Sequence, residues 1–115
     1  GADAPSGVMR RMPEEISKPL FGNDLDEERW ASVAARLVDD AQGIMNGRVS
    51  GMPLAVHRVY IGLTDDVPVP PALVDMMIGD LGPDVDRRTI EAGHMVMNSR
   101  PDALAAALAE VVRVR

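Results

Sequence analysis

The stretches "TDD" (64–66) and "GHMVM" (93–97) hold two neighbouring carboxylates and, 28 residues beyond Asp66, a histidine. "AVHRVYIGL" (55–63), rich in β-branched and aromatic residues, reads as a buried strand that delivers Asp65 and Asp66 at its exit. "DVDRRTIEA" (84–92) reads as a shorter strand running into Gly93 and His94. In open α/β sheets, working residues gather in loops beyond the carboxyl ends of strands. A carboxylate placed there can accept a hydrogen bond from imidazole Nδ1–H, which fixes the tautomer and leaves Nε2 outward as a base. The chemistry would be proton transfer to and from an attacking hydroxyl. The competing reading is structural: an aspartate at a strand exit often caps a helix, and a histidine after glycine is commonly a packing residue.

Several elements must position these groups. "VPVPPALVDMMIGDLGP" predicts a helix opened by Pro70 and Pro71, with Leu73, Met76, Met77 and Leu81 on one face and Gly82-Pro83 as its stop. After His94, Ser99 is placed to cap a helix beginning at Pro101, packed through Leu104, Leu108, Val111 and Val112. Upstream, "DLDEERWASVAARLVDD" puts Trp30, Val33, Ala34, Leu37 and Val38 on one helical face, with Asp24 and Glu27 as a capping box and Gly43 as the end. Residues 1–23, with Pro5, Pro13 and Pro19, predict turns and one short helical turn near "PEEISKPLF". Strand, helix, strand, helix implies a parallel sheet with crossover connections. Two strands alone do not make a parallel sheet that buries both faces.

Composition removes other classes. The net charge of −6 disfavours nucleic acid, whose phosphates select a basic surface. Without cysteine there is no thiol nucleophile, disulfide or thiolate metal site. The two histidines stand 37 residues apart without a ligand cluster, so no metal site is expected. "DLDEER" lacks the glycine and glutamate spacing of a calcium loop. No apolar run approaches the roughly 20 residues that span a bilayer, so no membrane partner and a cytoplasmic location are expected. His57 is read as a partly exposed structural residue inside the first strand. Met95 and Met97 either line a substrate pocket or fill gaps in a core. Trp30 either faces substrate or packs the amphipathic stripe.

"RVYIGLTDDVPVPPALVDMMIGDLG" followed by "IEAGHMVMNSRPDALAAALAEV" resembles the C-terminal part of α/β-hydrolase-fold enzymes, in the esterase, methylesterase and hydroxynitrile lyase branch. That branch shows a tyrosine-containing strand, an acid, a proline-led helix, and then G-x-H-M with a proline shortly after. The resemblance covers residues 54–115; "ADAPSG" and "LFGNDLDEERWASVAARLVDDA" are similar to the cap region. It implies an α/β fold: the C-terminal portion of a doubly wound parallel sheet (54–115) preceded by a helical cap remnant (1–53). It also implies Asp66 as triad acid, with Asp65 the one-place alternative, and His94 as triad base. Met95 and Trp30 are the candidate substrate contacts, the substrate a small ester, and no cofactor is implied.

The sequence departs from that pattern at the nucleophile. A G-x-S-x-G elbow is absent, and Ser6, Ser17, Ser32, Ser50 and Ser99 are the only serines. "GRVSGMP" has the wrong glycine spacing. The lysine that hydroxynitrile lyases carry after the histidine is Met95 here, which tilts the resemblance toward esterases. Two expectations follow. Either the chain is part of a serine esterase, inactive by itself, whose nucleophile comes from an N-terminal half or complementing chain, or it is a non-catalytic remnant that folds by self-association. Both predict a homo-oligomer or a complementing partner that covers an open strand edge.

Overall fold

A computed structural model describes residues 7–48 and 55–113. In chain order these form β1 (Val8–Met9), α1 (Glu14–Phe21), α2 (Glu27–Ala34), β2 (Asp40–Ala41) and α3 (Gly43–Asn46). They continue with β3 (Arg58–Leu63), α4 (Pro71–Asp80), β4 (Val85–Ile90), α5 (Val96–Ser99) and α6 (Pro101–Arg113). The chain is mixed α/β, with one parallel pair, β3–β4, and one small antiparallel pair, β1–β2. A doubly wound sheet is not present among the described residues. The expected boundary at residues 53 and 54 lies outside them, as do Ser6, Ser50 and the "VSGMP" loop.

The parallel pair positions the site. Its register runs from Arg58↔Val85 to Leu63↔Ile90, so both strands end level with one another. Pairing continues past the strand ends, with Thr64 N–H donating to Ile90 O at 3.1 Å and Asp65 N–H to Ala92 O at 2.9 Å. The strand begins at Arg58, three residues later than expected, because His57 precedes the ladder. Arg58 is itself buried and donates to the Leu81 and Pro83 carbonyls in the turn that follows α4. Gly82 and Asp84, both at positive φ, then turn the chain into β4.

As expected, α4 opens at Pro70-Pro71. Its buried contact is Val74, over Gly62 of β3, whereas Met76 on the expected face is exposed. The core beneath α6 joins Ile90, Ala92 and Val96 to Ile61, Leu63, Ala103, Leu104 and Ala107. Thus α6 packs along its 103–104–107 side; of the expected stripe, Leu104 and Val111 are half-buried while Leu108 and Val112 are exposed. Ser99, the expected cap, ends α5 instead, and its Oγ is buried without a partner.

The N-terminal part corrects the helix boundaries. The cap of α2 is Asp26, accepting Arg29 N–H at 2.7 Å, and the helix stops at Ala34 rather than near Gly43. Competition from the preceding segment accounts for the early stop. Arg11 N–H donates to Asp39 at 2.8 Å, the Arg11 guanidinium to Leu37 O at 3.2 Å, and Arg10 pairs with Asp39 at 3.2 Å. These bonds draw residues 37–41 into an extended path, where β2 pairs with β1 through Val8↔Ala41 and Met9↔Asp40. Leu37 is half-buried beyond the helix and Val38 is 68% exposed. The predicted short turn is in fact α1, two turns long, although Pro19 cannot donate to the Glu15 carbonyl.

Among the described residues, Ile16, Ile44, Val67 and Val112 expose large apolar side chains. No helix of the described residues is long and apolar enough to cross a membrane.

Candidate active site

Level strand ends place the two loops side by side. Asp66 lies three residues past β3 and His94 four residues past β4. His94 Nδ1 and Asp66 Oδ1 are 3.0 Å apart. The Asp66 side chain is 8% exposed and the imidazole 33%. Asp66 Oδ1 also accepts the Val69 N–H at 3.1 Å, so the "VPVP" loop ties the carboxylate down before α4 begins. A carboxylate oxygen accepts hydrogen bonds, so this contact favours an imidazole with its proton on Nδ1 and leaves Nε2 on the far side of the ring. Among the described residues the imidazole makes no other hydrogen bond.

Asp65 is turned away from the pair. Its side chain is exposed, while its backbone N–H joins the ladder and its carbonyl accepts from Asn23 Nδ2 at 2.8 Å. Of the two adjacent acids, Asp66 is therefore the one that reaches the histidine. The Phe21 ring stands 5.2 Å from the imidazole at a tilt of 44°. Gly93, one residue before the histidine, donates its N–H to Asp24 Oδ2 at 2.7 Å. Asp24, expected to cap α2, is thus engaged 69 residues away, which is why Asp26 caps the helix.

Met95 is half-buried one residue past His94, and its carbonyl accepts from Asn98 and Ser99 as α5 begins. Met97 is 55% exposed, so it fills no core; Val96 between them carries that contact. Trp30 is 2% exposed and donates Nε1–H to Glu14 at 2.9 Å. The cleft it borders, about 380 Å³, is lined by Arg11, Met12 and Leu37 among others and includes neither Asp66 nor His94. The structure therefore does not bring Trp30 to the pair. It reaches the site only through Gly22, on which it packs, and Phe21 next to it. His57, just outside β3, lies 3.8 Å from Asp86, whose carboxyl is held below its ordinary range chiefly by a hydrogen bond from Arg88.

None of the described serines bonds to His94. Ser17 is buried in α1 with its Oγ unpartnered, Ser32 is exposed on α2, and Ser99 closes α5. No group of three potential metal ligands occurs among the described residues. The contacts of Phe21, Asn23 and Asp24 carry no local sequence signature. The nearest signal is the doubled capping chemistry of "NDLD", in which only one aspartate can cap the helix.

No protein-family model, curated protein or solved structure matches this chain.

Proposed function

We propose that Asp66 and His94 are the acid and base of a serine-hydrolase triad of α/β-hydrolase type, acting on small esters, with the serine supplied from outside these 115 residues. The observation that carries this reading is the 3.0 Å Oδ1–Nδ1 contact between loops leaving the same end of a parallel strand pair. In that arrangement Nε2 removes the serine proton as the oxygen attacks the ester carbonyl, and Asp66 stabilises the imidazolium that forms. The imidazolium then returns the proton to the leaving alkoxide, and water repeats the cycle on the acyl-enzyme. Met95, beside the base, is the candidate contact for the substrate's apolar part. The scheme uses no cofactor. The same reading makes 54–115 the C-terminal portion of a doubly wound sheet, residues 1–53 a cap-like segment, and the setting cytoplasmic.

A second reading, a non-catalytic module that folds by self-association, is favoured by the exposed apolar side chains of Ile16, Ile44, Val67 and Val112. Sedimentation of the 115-residue chain separates the two: a tight homodimer without any complementing segment supports the second.

The hydrolase reading is tested with a serine-directed fluorophosphonate probe. The chain alone is expected to remain unlabelled. Joined to an upstream-encoded segment bearing a G-x-S-x-G elbow, it is expected to label stoichiometrically and hydrolyse p-nitrophenyl acetate, with hydrolysis lost in His94→Ala. Stoichiometric labelling of the chain alone would refute the proposal, as would hydrolysis by the joined protein that survives His94→Ala.

A further inference from the structure

We infer that Asn23 and Asp24 are positioning residues that clamp the two loops bearing Asp66 and His94, with the Phe21 ring packed beside the imidazole. Each clamp contact falls on the residue immediately before a member of the pair. Asn23 Nδ2 holds the Asp65 carbonyl at 2.8 Å, and Asp24 Oδ2 holds the Gly93 N–H at 2.7 Å. One dipeptide thus bonds to both strand exits, and the spacing between them is set from a third segment.

The clamp has its own foundation. Gly22 is buried, and a Cβ there would lie 2.6 Å from Trp30 Cε3, so the chain before Asn23 rests directly on the indole. Glu14 fixes the indole in turn. The Leu25 N–H closes a turn onto the Gly22 carbonyl at 3.1 Å, which presents Asn23 and Asp24 toward the strand ends. On the other side, Gly93 admits the clamp because it has no side chain. A Cβ on Gly93 would lie 2.4 Å from Asn23 Oδ1 and 2.6 Å from Asp24 Oδ1.

Asp24 Oδ1 is buried and without a partner. A buried carboxylate oxygen in that state is unfavourable. The Gly93 contact is what the carboxylate gains in return. The consequence for the pair is geometric: its hydrogen bond tolerates little displacement, and a 1 Å separation of the loops would take it out of range.

Any effect on catalysis rests on the triad reading, but the effect on the imidazole does not. The experiment therefore reads the His94 tautomer in the whole 115-residue chain by long-range proton–nitrogen NMR of 15N-histidine. His57 and the Trp30 indole N–H serve as internal references for an intact fold. The parent chain is expected to show His94 predominantly as the Nδ1–H form. Asp24→Ala is expected to lower that fraction by roughly half or more, as is the milder Asn23→Ala. Asp24→Asn, which keeps an acceptor oxygen for Gly93, is expected to restore it.

An unchanged His94 signal in folded Asp24→Ala and Asn23→Ala, with Asp66→Ala altering it, would overturn the clamp and leave the triad reading standing. If Asp66→Ala also leaves the signal unchanged, the pair does not form in solution and both readings fall.

Discussion

The Oδ1 atom of Asp66 serves two donors at once, the His94 imidazole at 3.0 Å and the Val69 amide at 3.1 Å. The first comes from the next strand's loop and the second from its own. Asp66→Asn can turn only one acceptor oxygen toward both, and its NH2 then faces solvent or competes with Nδ1–H. On the triad reading, with the chain joined to a serine-bearing segment, this variant is expected to lower kcat by about 10³–10⁴-fold with little change in KM, as expected when the imidazole tautomer is lost. Steady-state kinetics within about threefold of the parent would exclude Asp66 as the triad acid.

Two glycines make a matched pair for stability measurements. Gly93→Ala forces a methyl into Asn23 and Asp24, at 2.4 and 2.6 Å, and is expected to cost about 1–3 kcal/mol. Gly79→Ala, inside α4 with open space around it, is expected to stabilise by about 0.5–1 kcal/mol through helix propensity. Urea midpoints moving the same way for both would contradict the packing at Gly93.

Trp30 is expected to behave as a packing residue. Trp30→Ala should cost about 3–5 kcal/mol, and Trp30→Phe about 1–3, since the ring is partly kept while the bond to Glu14 goes. On the triad reading, with the chain joined to a serine-bearing segment, neither variant should alter KM once assayed well below its melting temperature. A KM shift with intact stability would instead return Trp30 to the substrate.

Asp39 supplies a pH test. The Arg11 backbone N–H, followed by the Arg10 and Arg11 charges, holds its carboxyl below the ordinary 3.8, against a partial desolvation that acts the other way. A lowered value in the folded chain means that the unfolded chain binds this proton more readily. Its contribution is therefore complete above 3.8 and lost as pH falls through the lower folded value. Asp39→Asn is expected to be less stable than the parent near neutral pH, and the difference should shrink in acid. A gap that stays constant from neutral pH to about pH 2 would show that the charge is not what holds residues 37–41 to the N-terminal segment.

The strand, proline-led helix, strand and final helix were legible because each carries a local signal: β-branched runs, Pro70-Pro71, and an alanine-rich amphipathic stretch after Pro101. The placement of Asp66 and His94 followed from those signals, since strand ends fix where loops begin. Asp24 was misassigned because two aspartates compete for one helix start, and the competition is settled by Gly93, far away in sequence. The early end of α2 was illegible for a similar reason. "ARLVDD" continues a good helical pattern, and only the bonds from Arg10 and Arg11 show that its last residues are drawn elsewhere. The face of α6 was legible in part: Leu104 and Val111 are half-buried as the periodicity implies, whereas Ala103 and Ala107 share the packing side and Leu108 and Val112 do not.

The parallel register of β3 and β4 joins partners 27 positions apart, from Arg58↔Val85 onward. No strand bond can form until that loop has closed, so its entropy is lost before any ladder bond compensates. The carboxylate and imidazole sit beyond the last rung, and their contact marks completion of this nonlocal step. During refolding, the hydrogen-bonded His94 signal should therefore emerge after the helical circular dichroism of α6 and together with protection of the β3–β4 amides.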